Sequence, residues 1–203
     1  MTTSRRRGAE LLAAIYAAVL AELADKGYAG LTMEGVAARA GTGKAPLYRR
    51  WSGRDDLVLD TVRHGISLHP APPYSGDVRA DLLNLLRRMA FGFDTPMGAV
   101  LRTLLGETHR SPALLEALHE AVFDPRATEL RALLRAAAAD GEIRDDVVDT
   151  AAATLAPELL MFRFLTQGLP LPAELITEIV DDIALPLLRP PKSAGHTMAP
   201  LDG

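Results

Sequence analysis

Between Thr32 and Leu57 the chain reads TMEGVAARAGTGKAPLYRRWSGRDDL. Met33, Val36, Ala37 and Ala40 recur at helical spacing, and Thr32 stands ahead of them as an N-cap. Gly41 to Gly43 then breaks the pattern. A second short helix is expected from Lys44 to about Trp51, with Leu47 and Trp51, four apart, anchoring it inward. Two helices can cross closely at such a turn because its residues are small. The second helix turns Lys44, Tyr48 and Arg49 outward, with Arg54 just beyond it, spaced to meet phosphates. These features are those of a helix-turn-helix, which lays its second helix in the DNA major groove. The plainer alternative is a helical hairpin with a solvated charged face.

Charge layout bears on that choice. The 203 residues carry a net charge of −4, which argues against nucleic acid if it is spread evenly. It is not. Residues 1–54 hold nine Lys and Arg against four acids, a net of +5, which leaves −9 for the remainder. A basic head on an acidic body fits a head that meets phosphate and a body that does not. Aromatics are scarce at 5% while Ala and Leu dominate, so an all-α fold is expected. The absence of cysteine excludes disulfides and thiolate zinc sites. The basic N-terminus is followed by no apolar signal core, and no apolar run reaches membrane-spanning length, so a cytoplasmic protein with no membrane partner is expected.

The remaining helices follow from periodicity and punctuation. Residues 1–7 read as a mobile basic arm. Leu12, Ile15, Val19, Leu20 and Leu23 place a first helix from Gly8 to Lys26, with Gly27 as a left-handed cap. A fourth helix opens at Ser52 or Gly53, with Asp55 and Asp56 at its positive end. The prolines of His69–Gly76 end it. Helices are then expected near Asp77–Phe93, Pro96–Thr108, Ser111–Asp140, Asp145–Gln167 and Pro172–Leu188. Pro125 should kink the third of these and Pro157 the fourth. The division is residues 1–54 as DNA-binding head, 55–188 as ligand-binding and dimerisation body, and 189–203 as a disordered tail.

The segment AGTGKAPLYRRWSGRDDL resembles the signature of the tetracycline-repressor (TetR) family of bacterial regulators, and the likeness runs from about Gly8 to Val62. The resemblance implies an all-helical homodimer with a three-helix reading head. It implies a body whose last two helices pair across a two-fold axis as a four-helix bundle. Two positions depart from the family pattern. Gly43 replaces a serine before the reading helix, so that cap is lost or passes to Thr42. Pro46 replaces a Thr or Ser, removing a donor and a hydroxyl and leaving only an apolar touch on a thymine methyl. The candidate DNA-binding residues are Arg5, Arg6, Arg7, Thr32, Thr42, Lys44, Ala45, Pro46, Tyr48, Arg49 and Arg54. The partners expected are palindromic operator DNA, a second copy of the chain and a small, mostly apolar effector.

For the effector, the candidates are Phe91, Met97, Leu101, Leu104, His109, Phe123, Phe162 and Arg163, lining an enclosed apolar cavity among the body helices. For any one of them, core or dimer packing is the alternative. Leu159, Leu175, Ile176, Ile179, Val180 and Ile183 form a broad apolar stripe read as the dimer seam, with burial inside one subunit as the alternative. GTGK lacks the glycine and the Ser or Thr of a phosphate loop, since Ala38 and Ala45 hold those places. The five histidines have no metal-ligand spacing, and no Ser-His-Asp or paired-carboxylate pattern is recognisable, so no cofactor, metal or catalytic site is expected. The rival readings are a DNA binder with no inducer, and a helical module that no longer binds DNA.

Overall fold

The computed structural model describes residues 2–67 and 72–190, and every regular element among them is helical. Four helices build the head: α1 (Thr2–Gly30), α2 (Met33–Arg39), α3 (Lys44–Tyr48) and α4 (Arg54–Ser67). The backbone of residues 2–7 continues α1, in place of the separate arm that their polarity predicts. Gly27 does break α1, with φ of +67°, a left-handed value that glycine reaches without Cβ strain. The chain then adds one more turn to Gly30. Thr32 caps α2 by accepting from the Gly35 N–H at 3.0 Å. Gly43 is the N-cap of α3 and supplies no side-chain bond, so the cap is lost rather than passed to Thr42. Asp56, in the first turn of α4, accepts from the backbone N–H of Ser52 at 2.9 Å. Val19, Val36, Leu47, Leu57 and Val58 are fully buried between these helices.

The body comprises α5 (Val78–Phe93), α6 (Pro96–Glu107), α7 (Pro112–Leu118), α8 (Asp124–Ala139), α9 (Ala151–Gln167), α10 (Leu175–Glu178) and α11 (Leu185–Leu188). Asp77, Thr95 and Ser111 cap α5, α6 and α7 with their side-chain oxygens. The head is not a detached unit. Helix α1 packs along α6, and α4 lies against α6, α7 and the turn after α7, so head and body share one core. The loop between α4 and α5 falls partly on residues 68–71, and the tail beyond Pro190 lies outside the described residues.

Prolines shape the long body helices. Helices α7 and α8 run together through a π-helical turn at His119–Phe123, just ahead of Pro125. Helices α10 and α11 run together through another at Ile179–Ala184, just ahead of Pro186. A proline ring collides with the carbonyl four residues back, here Ala121 and Asp182. Both carbonyls lie in the wider turn, which gives the ring room. The kink expected at Pro125 is thus taken up as a π-turn, and Pro186 follows a second one that was not expected. The break expected at Pro157 does not occur, since Pro157 sits inside an uninterrupted α9.

The C-terminal stripe corrects a sequence expectation. Ile179 and Val180 are fully buried within one subunit, and Leu175 is almost so. They pack against α9 and α5, because α10–α11 is a core element of its own subunit. Arg79 on α5 holds this run with two 2.7 Å bonds to Asp181. Only Leu159, Ile176 and Ile183 of the stripe keep partial exposure. The stripe is wider than a dimer seam needs because most of it serves this internal contact.

Gly98 fixes the corner between α5 and α6. A Cβ there would overlap the carbonyl of Phe93. Backbone cannot swing aside as a flexible side chain can. Gly98→Ala is therefore expected to destabilise the fold by about 1–3 kcal/mol, despite alanine's better helix propensity. Urea unfolding followed by circular dichroism measures it, and a gain in stability would disprove this close approach.

Candidate DNA-reading surface and body cavity

Helix α3 buries Leu47 and turns Lys44, Ala45, Tyr48 and Arg49 to solvent, with Tyr48 52% exposed. Thr42 and Pro46 are half-buried at its start. Lys44 is held 2.8 Å from Glu34 on α2, and this pair draws the Glu34 carboxyl below its ordinary range. Thr32 spends its acceptor on the α2 cap. The side chains of Arg5, Arg6 and Arg7 lie outside the described residues.

Arg54 does not stand with these residues. Its guanidinium lies over the Tyr28 ring, donates to the carbonyls of Tyr28 and Ala29 and pairs with Asp55 at 3.1 Å. It closes the C-terminus of α1, where carbonyls lack helical partners. Its position near the reading helix suggested phosphate contact. The fold spends its donors on α1 instead.

Two acids hold the head together, and the sequence did not single out either. Glu22 is 2% exposed, pairs with Lys26 at 2.8 Å and accepts from Arg39 at 3.1 Å. Its carboxyl is held below its ordinary range by the Lys26 bond first, with the charges of Lys26 and Arg39 adding to it. Arg39 belongs to α2, so Glu22 ties α1 to α2. Asp60 on α4 accepts from the Tyr16 hydroxyl at 2.8 Å and from the Trp51 indole N–H at 2.9 Å. Tyr16 belongs to α1, and Trp51 ends the segment that carries α3. Burial, then the Asp60 bond, pushes the Tyr16 hydroxyl up to about 12, so it stays a donor at any physiological pH. The Tyr16 ring also stacks on His64 at 4.6 Å.

A cavity of about 550 Å³ opens in the body, bounded by α4, α5, α6, the π-turn at 119–123, α8 and α9. It is partly open to solvent, not enclosed as expected. Met97, Leu101, Phe123 and Phe162 line it. Phe91 points away and is 66% exposed. Leu104 is fully buried in the core. His109 lies on the surface with Nδ1 2.8 Å from the Gly106 carbonyl. Arg163 is half-buried away from the cavity. Arg102 serves structure, donating to the Phe164 carbonyl at 2.7 Å over a Phe164 ring stacked on Phe93.

The lining also includes Arg88, Arg126, Glu158 and His119, which the sequence did not single out for the cavity. A signal was present. Arg126 stands four residues from both Val122 and Leu130, and Arg88 three from Leu85, so each shares a helix face with buried aliphatics. Val62 on α4 is part of the same wall. Met97 packs directly on Gly65, also on α4, so a Cβ there would have to push the Met97 methyl aside. Helix α4 therefore touches the cavity two residues after the carboxylate that holds Trp51.

Comparison with known proteins accounts for both halves. Residues 15–61 match the model for bacterial regulatory proteins of the tetR family, and residues 72–183 match that for the tetracyclin repressor-like C-terminal domain. The chain belongs to the TetR family. An HTH-type transcriptional regulator of Mycobacterium bovis is 34% identical, with 86% of each chain covered. A DNA-binding transcriptional repressor of Mycobacteroides abscessus is 31% identical over 91% of this chain and 97% of its own. Among solved structures, a TetR-family transcription regulator superposes with a TM-score of 0.69 at 32% identity, covering 89% of this chain and all of that one. This TetR-family protein is thus a DNA-binding transcriptional regulator and not an enzyme. No helix among its described residues is long and apolar enough to cross a membrane.

Asp60→Ala would leave Tyr16 and Trp51 without their common acceptor, at a cost of about 1–3 kcal/mol for the orphaned donors. Trp51 is the only tryptophan, so its fluorescence reports the head directly. The variant is expected to shift that emission and lower the urea midpoint, and Asp60→Asn, which keeps an acceptor, should lose less. An unchanged midpoint in Asp60→Ala would remove this carboxylate from the head's support.

Proposed function

We propose that this TetR-family protein is an effector-released repressor that binds a palindromic operator as a homodimer in the cytoplasm. The outward face of α3 meets the major groove through Lys44, Ala45, Tyr48 and Arg49. Thr42 and Pro46 stand at its entry, and Arg5, Arg6 and Arg7 lie along phosphates or the minor groove. Repression is supported by the relative named as a DNA-binding transcriptional repressor. Effector control rests on one observation: α4 carries both Val62 of the cavity wall and Asp60, the acceptor for Trp51. A ligand that prefers another position of α4 then moves α3, and in a dimer it changes the spacing of two reading helices that must sit about 34–36 Å apart. It weakens DNA binding by its differential affinity for the two states.

The exposed apolar residues of the C-terminal helices support the dimer. Leu187 on α11 is exposed, and Leu159 on α9, Ile176 on α10 and Ile183 in the π-turn are half-buried. Helix α11 packs directly on α9. Because Leu187 is exposed, Leu187→Glu should spare the subunit fold and weaken the dimer by about tenfold or more through a carboxylate left in an apolar interface. Sedimentation at micromolar concentration reads the outcome. A mutant that remains as tightly dimeric places the seam on another face.

Lys44→Ala and Arg49→Ala should each lower operator affinity about tenfold or more, with helix content unchanged, in anisotropy assays on an operator selected from random DNA. A Lys44 that reads a base relaxes specificity at one position. One that meets phosphate lowers affinity on all sequences and flattens the salt slope. Wild-type affinity in both variants would exclude α3 as the reading helix.

A further inference from the structure

Glu34 is the only acid between Thr32 and Arg54, among Arg39, Lys44, Arg49 and Arg50. A carboxylate on a surface that meets phosphate weakens binding, so its presence needs a reason. It is not the capping-box acid of α2, because that place, three residues after Thr32, holds Gly35. Arg39, the basic residue of α2, is taken up by Glu22 and Asp25 of α1. The partner of Glu34 is Lys44 instead. The two belong to different helices, α2 and α3, and their charged ends meet 2.8 Å apart across the turn at 41–43. Neither is withdrawn from solvent, since the side chains are 51% and 58% exposed. The pair carries no net charge and stands on the edge of the reading helix.

A neutral pair gains little from phosphate, where its carboxylate is repelled. Base edges suit it better. An ammonium has three donors and a carboxylate about four acceptor sites, so each can bond the other and still meet a base. In the major groove cytosine N4 is a donor, and its partner guanine presents the acceptors O6 and N7. We infer that Glu34 and Lys44 together read one C·G pair of the operator, Glu34 accepting from cytosine N4–H and Lys44 donating to guanine O6 and N7. The order of donor and acceptor carries the specificity. In T·A and in G·C that order is exchanged, so the carboxylate faces an acceptor and the ammonium a donor. A·T keeps the order but offers Lys44 one acceptor and a methyl group in place of two acceptors. This inference rests on α3 as the reading helix, and it selects a base edge over phosphate for Lys44.

The full-length protein first selects its operator from random DNA. Anisotropy competition then scores each single-pair change in that operator on wild type, Glu34→Ala, Glu34→Gln, Lys44→Met and Arg49→Ala. Wild type should show a C·G position that loses about tenfold or more on change to T·A or G·C, and less on change to A·T. Glu34→Ala and Lys44→Met should each cut that discrimination at least about threefold, at this same position and no other. Glu34→Gln keeps an acceptor without the charge and should fall between wild type and Glu34→Ala. Glu34→Ala also releases Lys44 to phosphate, so it should bind non-operator DNA more tightly, with a salt slope steeper by about one. A melting curve identifies any variant that fails to fold, and Glu34→Gln then carries the comparison. A lowered melting temperature with base preferences unchanged makes the pair structural and overturns the inference. So does a loss of preference at two different positions, or at a shared position that is not C·G. If Glu34→Ala and Lys44→Met keep every preference while Arg49→Ala loses binding, the pair reads nothing and α3 remains the reading helix. If Lys44→Met and Arg49→Ala both bind as wild type does, the reading helix lies elsewhere and this inference falls with it.

Discussion

The carboxylate of Asp60 is the point on which the head depends. It accepts from Tyr16 of α1 and from Trp51 beyond α3, so three separate stretches of chain meet at one side chain of α4. A half-buried carboxylate with two donors is held more firmly than a surface ion pair, because both donors would be orphaned by its loss. Helix α3 has only five residues and no side-chain cap, so it has little stability of its own. Its orientation is inherited from Leu47 in the core and from Trp51 on Asp60. Whatever displaces α4 displaces the reading surface.

The same helix meets the body through Val62 and Gly65, and this explains how the two halves share one core without a rigid linker. Glu22 makes a parallel tie between α1 and α2 that α4 does not touch. The head thus has one internal clamp and one clamp that leads outward.

The head was legible in the sequence because its determinants are local. Thr32, Gly27, Gly41–Gly43, Leu47 and Trp51 act within a few residues of where they stand. The body helices were legible for the same reason, through Asp77, Thr95, Ser111 and the prolines. The cavity was only partly legible. Met97, Leu101, Phe123 and Phe162 line it, while Phe91, Leu104, His109 and Arg163 do not. Apolar character marks a residue as turned inward but does not say toward which space. Arg88 and Arg126 were missed because an arginine's charge reads as surface even where, as here, it shares a helix face with buried aliphatics. The stripe at Leu175–Ile183 misled for a related reason: a helix buried by its own subunit and one buried by a partner carry the same pattern.

The π-turn at His119–Phe123 gives the cavity wall an unusual dependence. An unabsorbed extra residue would rotate the rest of a helix by about 100°, but a wide turn takes that residue up locally and lets the helix beyond it keep its phase. Helix α8 thus holds Arg126 and Leu130 toward the cavity although a wide turn lies just ahead of Pro125. Losing one residue from the turn would close it to ordinary α-helix and leave Arg126 on the wall, while pressing the Pro125 ring against the carbonyl four residues back. The pocket's lining is therefore buffered against a change of length in this stretch, and the proline bears the consequence.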